Sequence, residues 1–219
     1  EPVLSINLAQ VQPTAPSPTG TRLETAFDAA LRMTVPVHLG QRGPFAFVVD
    51  TGANRTVIGA ETADRCGLGS DGSAPVHGIA GSQSAPLVRV PRLRVGQVQS
   101  HNLSLPRASL GADGLLGIDV LKGRRMRLDF RGNTFEIGPS TVGASVGRGT
   151  DTRIPDRRQG VIVPAQYRSG QLVIFDADVA GTPVRAFLDS GSQVTCGNPV
   201  LRQLLIQQRP ELAERFTPT

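Results

Sequence analysis

Two stretches of this chain repeat one pattern: Phe47-Val48-Val49-Asp50-Thr51-Gly52-Ala53 and Ala186-Phe187-Leu188-Asp189-Ser190-Gly191-Ser192. Each carries an apolar run into an aspartate, a small hydroxyl residue and a glycine. A single Asp-Thr-Gly is an ordinary tight turn. Two of them, each at the end of a strand-like run, point to an internal repeat whose turns present paired carboxylates.

Composition restricts what that repeat is built into. The 219 residues include 25 Gly and 17 Pro, no Trp, and Val, Thr and Leu in short runs, which favours strands and turns over long helices. The expected class is all-β with a minor α component, long enough to bury a core as one domain or two small lobes. The formal charge of +5 comes from scattered arginines, Lys122 being the only lysine, and 4% aromatic residues leave little to stack on bases. No nucleic-acid partner is expected. Cys66 and Cys196 lie at unequal offsets from the two aspartates and have neither a disulfide framework nor Cys/His metal spacing, so a pair and two free thiols both remain as readings. No run reaches the roughly 18 apolar residues of a membrane helix, so no transmembrane segment is expected. Residues 1–21 are rich in Pro, Ser, Thr and Gln, as after a removed signal peptide, and incline the localisation toward export, periplasmic or secreted.

Along the chain, residues 31–39 and 45–49 read as strands around a turn at 40–44. The Asp50 turn follows, then a strand at 56–58 and a short helix over 60–66 closed by Gly67. Residues 76–86 read as a Gly- and Ser-rich loop, and the alternating stretch 87–95 contains Pro91, which predicts an edge or a bulge. Beyond the compact apolar segment 114–121, residues 126–130 and 134–137 pair around Arg131-Gly132-Asn133. A second unit opens with 161–163 and 172–179, turns at Gly181-Thr182-Pro183 and enters Asp189 through 184–188. Asn198-Pro199 is an N-cap followed by Pro at the first helical position, and a helix to about Phe216 places Leu201, Leu204, Leu205 and Leu212 on one stripe. The expected organisation is a flexible segment over 1–25, a first lobe over 26–139, a linker over 140–160 and a partial second lobe over 161–219.

Two carboxylates brought close cannot both ionise comfortably, so one pKa rises and the other falls, and identical groups become an acid and a base. Such a pair hydrolyses a peptide bond with no metal and no other cofactor. Asp50 and Asp189 are the candidate catalytic pair. Gly52 and Gly191 permit close approach of the opposing loop, and the Thr51 and Ser190 hydroxyls are placed to brace it. Neither a Gly-x-Ser-x-Gly elbow nor a catalytic-thiol signature is present, nor a P-loop or dinucleotide fingerprint. His38, His77 and His101 stand in unrelated local contexts, which argues against a metal site.

At this point a family resemblance becomes specific. Val48-Val49-Asp50-Thr51-Gly52-Ala53-Asn54-Arg55-Thr56-Val57-Ile58 resembles the active-site segment of retroviral-type aspartic proteases, the retropepsins. His77-Gly78-Ile79-Ala80-Gly81 is similar to their flap, and Gly114-Leu115-Leu116-Gly117-Ile118-Asp119-Val120-Leu121 resembles the apolar-apolar-Gly motif that crosses behind the catalytic loop. The resemblance implies a closed β-barrel lobe, a flap over an extended peptide or protein substrate, and water held between two aspartates. It makes Asp119 structural rather than catalytic.

The second unit carries the Asp turn without the rest. Leu121 lies 71 residues beyond Asp50, whereas 30 residues follow Asp189. Three arrangements answer this: a piece of a longer two-lobed enzyme of pepsin-like build with Asp50 and Asp189 in one chain, a homodimer through Asp50, or a reduced second lobe that still delivers Asp189. The first is preferred here. The functional expectation is an aspartic endopeptidase, with a catalytically inactive peptide-binding module as the alternative.

Overall fold

Along Met33–Leu39 the residues Met33, Val35, Val37 and Leu39 are buried, the two-residue period of a strand with one face on a core. Around that strand the computed structural model, which describes residues 20–78, 81–130, 132–139, 165–168 and 171–215, builds the rest of the molecule. The elements are β1 (Thr21–Glu24), β2 (Ala26–Phe27), β3 (Met33–Leu39), β4 (Arg42–Val49), β5 (Val57–Gly59), α1 (Ala60–Cys66), β6 (Ser70–Gly78), β7 (Gly81–Val95), β8 (Val98–Ala108), β9 (Gly114–Leu116), α2 (Ile118–Leu121), β10 (Arg124–Asp129) and β11 (Thr134–Pro139). They continue with β12 (Ala165–Arg168), β13 (Gln171–Val179), β14 (Thr182–Phe187) and α3 (Pro199–Gln208), then a 3-10 turn over Pro210–Arg215.

The chain is mostly β, and its first lobe is a six-stranded closed barrel. Hydrogen-bonded neighbours run β3-β4-β9-β5-β8-β7, and β7 returns to β3 through Val37↔Val95 and Leu39↔Leu93. Closure leaves these strands without a free edge. Val35, Val37, Phe47, Val49, Ile58, Val90, Leu93 and Leu116 meet inside, and Phe135 and Ile137 from the separate sheet β1-β11-β10 pack into the same core. Among the described residues the core carries no charge. Helix α1 ends as expected, with Gly67 left-handed at φ 60° and its N–H on the Ala63 and Asp64 carbonyls.

Several expectations are corrected. Thr21–Glu24, assigned to the flexible segment 1–25, pair with Thr134–Ile137 as a strand. Of the loop expected over 76–86, the described residues 76–78 and 81–86 belong to the arms of the long hairpin β6–β7, where short polar side chains hide the strand period and backbone pairing from Ser73↔Pro86 to Gly78↔Gly81 supplies the order. Pro91 makes no bulge, because the β7–β8 register passes from Val90↔Leu103 to Arg92↔His101 unbroken. It sits where the other side of β7 changes neighbour, between Val88↔Ser70 and Leu93↔Leu39, a local gap that needs no N–H donor. Strand β8 was missed altogether.

In the second lobe β12, β13 and β14 form a three-stranded antiparallel sheet. The Asn198 side chain caps α3 by accepting the Leu201 N–H at 2.8 Å, with Pro199 in the first turn. The helix stops at Gln208 rather than near Phe216, since Pro210 cannot continue it. Of the expected stripe Leu205 and Leu212 are buried, while Leu204 is exposed. The expected strand at 161–163 and the linker 140–160 lie outside the described residues.

Gly114 marks the tightest point of the barrel, where a Cβ would lie 2.3 Å from the buried Phe47 ring. Gly114→Ala should lower stability by about 1–3 kcal/mol in urea unfolding, because overpacking a closed core forces its neighbours to shift. An unchanged midpoint would contradict this packing.

Candidate active site

Two strands deliver the two aspartates. β4 ends in Val48 and Val49, both 0% exposed, and hands the chain to Asp50; β14 ends at Phe187, two residues before Asp189. Each carboxylate closes its own turn. Asp50 Oδ1 accepts the Gly52 and Ala53 N–H groups at 2.9 Å, and Asp189 Oδ1 accepts the Gly191 N–H at 2.9 Å.

The turns are then locked face to face by a reciprocal brace. Thr51 Oγ1 donates to the Leu188 carbonyl at 2.7 Å and accepts the Ser190 N–H at 3.0 Å. Ser190 Oγ donates to the Val49 carbonyl at 2.7 Å and accepts the Thr51 N–H at 3.1 Å. Each hydroxyl thus serves the opposite lobe, as anticipated from the repeat, and Thr51 is buried. The glycines seat the opposing carboxylates: a Cβ on Gly52 would lie 2.5 Å from Asp189 Cγ, and one on Gly191 would lie 2.5 Å from Asp50 Cγ.

Burial, and then the negative charge of Asp189, hold the Asp50 carboxyl above its usual range, against the Gly52 and Ala53 N–H bonds that favour its charged form. A hydrogen bond between the two carboxyl groups acts in the same upward direction. The arrangement therefore favours a proton on Asp50 beyond the usual carboxylate range.

Behind the Asp50 turn runs the segment that joins β9 to α2. The Asp50 N–H reaches the Leu116 carbonyl at 3.1 Å, and the Ile118 N–H reaches the Ala53 carbonyl at 2.9 Å. Asp119 Oδ1 accepts the Thr56 N–H at 2.8 Å, the Thr56 hydroxyl at 2.7 Å and the Val120 N–H at 2.9 Å; Thr56 Oγ1 in turn accepts the Gly117 N–H at 3.0 Å. Asp119 accordingly stands behind the Asp50 turn, engaged by Thr56 and Val120. Thr56, which the sequence pattern does not single out, is 0% exposed and is the hinge of this network. Its position six residues after Asp50 was the available signal.

Of the expected flap residues, His77, Gly78 and Gly81 lie at the end of the β6–β7 hairpin, paired as His77↔Ser82 and Gly78↔Gly81. Ile79 and Ala80 lie outside the described residues. Cys66 and Cys196 are both free thiols. Among the described residues no helix is long and apolar enough to cross a membrane.

Residues 35–123 match the family model described as "gag-polyprotein putative aspartyl protease". Over this lobe the chain is similar to the retropepsin-like aspartic proteases. The chain is 22% identical over 164 residues to Protein DNA-DAMAGE INDUCIBLE 1 of Arabidopsis thaliana, a match covering 73% of this chain and 37% of the relative. It therefore spans little more than a third of the curated relative it matches. The crystal structure of a retropepsin-like aspartic protease from Rickettsia conorii aligns with a TM-score of 0.41 and 17% identity, covering 55% of this chain and 92% of that one.

Two outcomes follow from the geometry. Asp119→Ala should cost about 1–3 kcal/mol, because the buried Thr56 N–H and hydroxyl lose their acceptor, whereas Asp119→Asn, which keeps an acceptor oxygen, should recover most of it in thermal unfolding. The second concerns pH. An acid whose pKa is raised by folding loses stability as pH climbs from the ordinary carboxylate range through the raised value. Asp50→Asn removes that loss, so its Tm should exceed the parent's at pH 7, and the difference should close as pH falls through the raised value. A gain of equal size at every pH would mean that proton linkage is not its source.

Proposed function

We propose that this chain is an aspartic endopeptidase in which Asp50 and Asp189 of one chain form the catalytic dyad. The observation that carries the reading is the mutual seating of each carboxyl over the other turn's glycine, 2.5 Å from the place a Cβ would occupy. Coincidental surface turns have no reason to fit that way.

In this reading a water lies between the carboxyls. The ionised aspartate draws one proton from it while the oxygen attacks the scissile carbonyl carbon, and the protonated aspartate gives its proton to the carbonyl oxygen. The resulting tetrahedral diol collapses as a proton passes to the amide nitrogen, the C–N bond breaks, and an acid and an amine leave. The dyad regains its single shared proton, with no cofactor in the cycle. Substrate binds as an extended strand, held through its main chain with side-chain pockets setting preference. The hairpin β6–β7, with His77, Gly78 and Gly81 at its end, is the element we assign as the flap over that strand.

The test is cleavage of a mixed peptide library from pH 3 to 8 by the parent, Asp50→Asn and Asp189→Asn, alongside binding of a pepstatin-type transition-state mimic. Both substitutions should lower kcat by at least 1,000-fold with the fold retained, on the scale seen when a member of a catalytic set is removed. Loss in Asp50→Asn alone would assign a dimer through Asp50. Peptide binding without cleavage by the parent would assign the inactive binding module, a reading favoured by the exposure of Phe187 and Leu188 beside the second aspartate, at 52% and 47%.

A further inference from the structure

The loop that joins β2 to β3 is closed on a single residue. Asp28 Oδ1 accepts the Ala30 N–H at 3.0 Å and the Arg32 N–H at 2.8 Å, and Asp28 Oδ2 takes the Arg32 guanidinium through Nε at 2.8 Å and Nη2 at 2.6 Å. The Asp28 backbone completes the ring, its N–H donating to the Arg32 carbonyl and its carbonyl accepting the Leu31 N–H, each at 3.0 Å. Every one of these bonds has Asp28 at one end. The loop is also fixed to the barrel, since β2 pairs with β3 through Phe27↔Met33 and Met33 is 0% exposed.

Neither packing nor backbone preference accounts for the shape of this loop. Leu31 lies at φ 58°, a left-handed conformation that non-glycine residues rarely adopt, and its side chain is 82% exposed, so burial gives nothing in return. The shape has a consequence at the candidate site. The ring uses the carbonyls of Asp28 and Arg32 and leaves that of Ala30 to the second lobe, where the Gln193 side-chain amide donates to it. Gln193 lies four residues beyond Asp189, directly after the turn in which the Ser192 N–H reaches the Asp189 carbonyl at 3.3 Å. The Thr51 and Ser190 brace joins the two turns at one pair of facing residues, which resists their separation but leaves them free to rock about it. A tie further along the chain opposes that rocking, and a misplacement of about 1 Å at reacting groups can cost about 100-fold in rate.

We propose that Asp28 is a positioning residue of the candidate site: it holds the β2–β3 loop in the shape that offers the Ala30 carbonyl to Gln193, and through that bond sets the Asp189 turn against the Asp50 turn. The kinetic consequence rests on the endopeptidase reading above, whereas the positioning does not. Asp28→Ala removes every side-chain bond of the ring and lets Leu31 leave the left-handed region. Gln193→Ala removes the tie and leaves the ring whole. Asp28→Asn keeps an Oδ1 acceptor for the Ala30 and Arg32 N–H groups and gives up the charge facing the Arg32 guanidinium, so it should preserve most of the positioning.

Hydrogen exchange tests this without reference to cleavage. Exchange at the hydrogen-bonded amides of Ser190, Gly191 and Ser192 should quicken about fivefold in Asp28→Ala and in Gln193→Ala, no further in the double variant, and little in Asp28→Asn, while Val37 and Leu39 of β3 stay protected. In peptide cleavage each alanine substitution should lower kcat about tenfold with KM within about twofold of the parent, the double variant should equal the singles, and Asp28→Asn should recover most of the loss. Unchanged exchange at the three amides in Asp28→Ala overturns the proposal, as do effects of the two substitutions that multiply in the double variant. Lost protection at Val37 and Leu39 in Asp28→Ala overturns it by making Asp28 a residue of first-lobe folding, and so does an Asp28→Ala effect on the amides that Gln193→Ala does not share. A parent that cleaves nothing removes the endopeptidase reading alone, and the exchange result then decides the positioning role.

Discussion

The candidate site depends on two backbone turns held so close that each glycine's missing side chain is replaced by the other lobe's carboxylate. Like charges resist that approach. Two ionised carboxylates about 4 Å apart repel by about 4 kcal/mol at an effective dielectric of 20. Against this stand the four hydrogen bonds between the lobes made by Thr51 and Ser190, each worth about 1 kcal/mol net. The two quantities are of one size, so the brace alone would barely hold a doubly charged pair. Keeping one proton on the pair removes most of the repulsion. Structure and proton sharing are thus one requirement, and burial of Asp50 reinforces it by disfavouring a second charge.

The same balance explains why the hydroxyl residues matter as much as the acids. A threonine or serine after the aspartate donates one bond and accepts another, so it can tie both the carbonyl before the opposite aspartate and the N–H after it. A side chain with only donors or only acceptors would leave one of those backbone groups unpaired at a buried interface, at a cost comparable to the bond itself. Thr51 and Ser190 differ by one methyl group, and the pair of bonds each makes is the same.

Much of this was legible because it is local. The apolar runs into Asp50 and Asp189, the αL glycine closing α1, the hairpin around residues 131–133 and the Asn198-Pro199 helix start depend on neighbours in the chain, and short-range chemistry decides them. What was missed depends on partners far away. β8 alternates poorly, with Asn102 at positive φ and Pro106 buried, and it is a strand because β7 pairs along its length. Residues 76–86 lack any apolar period, and of the described ones, 76–78 and 81–86, only the register of the hairpin gives the order. At the site, Asp119 could be set aside as structural, but its acceptor role toward Thr56 joins residues 63 positions apart and no spacing rule announces it.

The lobes also differ in how firmly they hold their aspartates. The Asp50 turn is fixed in front by Ser190 and behind by Leu116, Ile118 and, through Thr56, Asp119, all on a closed barrel. The Asp189 turn shares the front brace and is followed by the capped helix α3, whose far end is tied to the sheet by Thr182 Oγ1 on Gln208 at 2.7 Å. Its further tie to the first lobe runs from Gln193 to the Ala30 carbonyl, between exposed loops. Local opening therefore costs least on the second side, where few buried contacts oppose it. Separating the lobes would leave the first turn intact on its barrel and release the second with its sheet. The first lobe is thus the fixed reference of the site, and the alignment of the two carboxyls is governed by how firmly the second lobe is held against it.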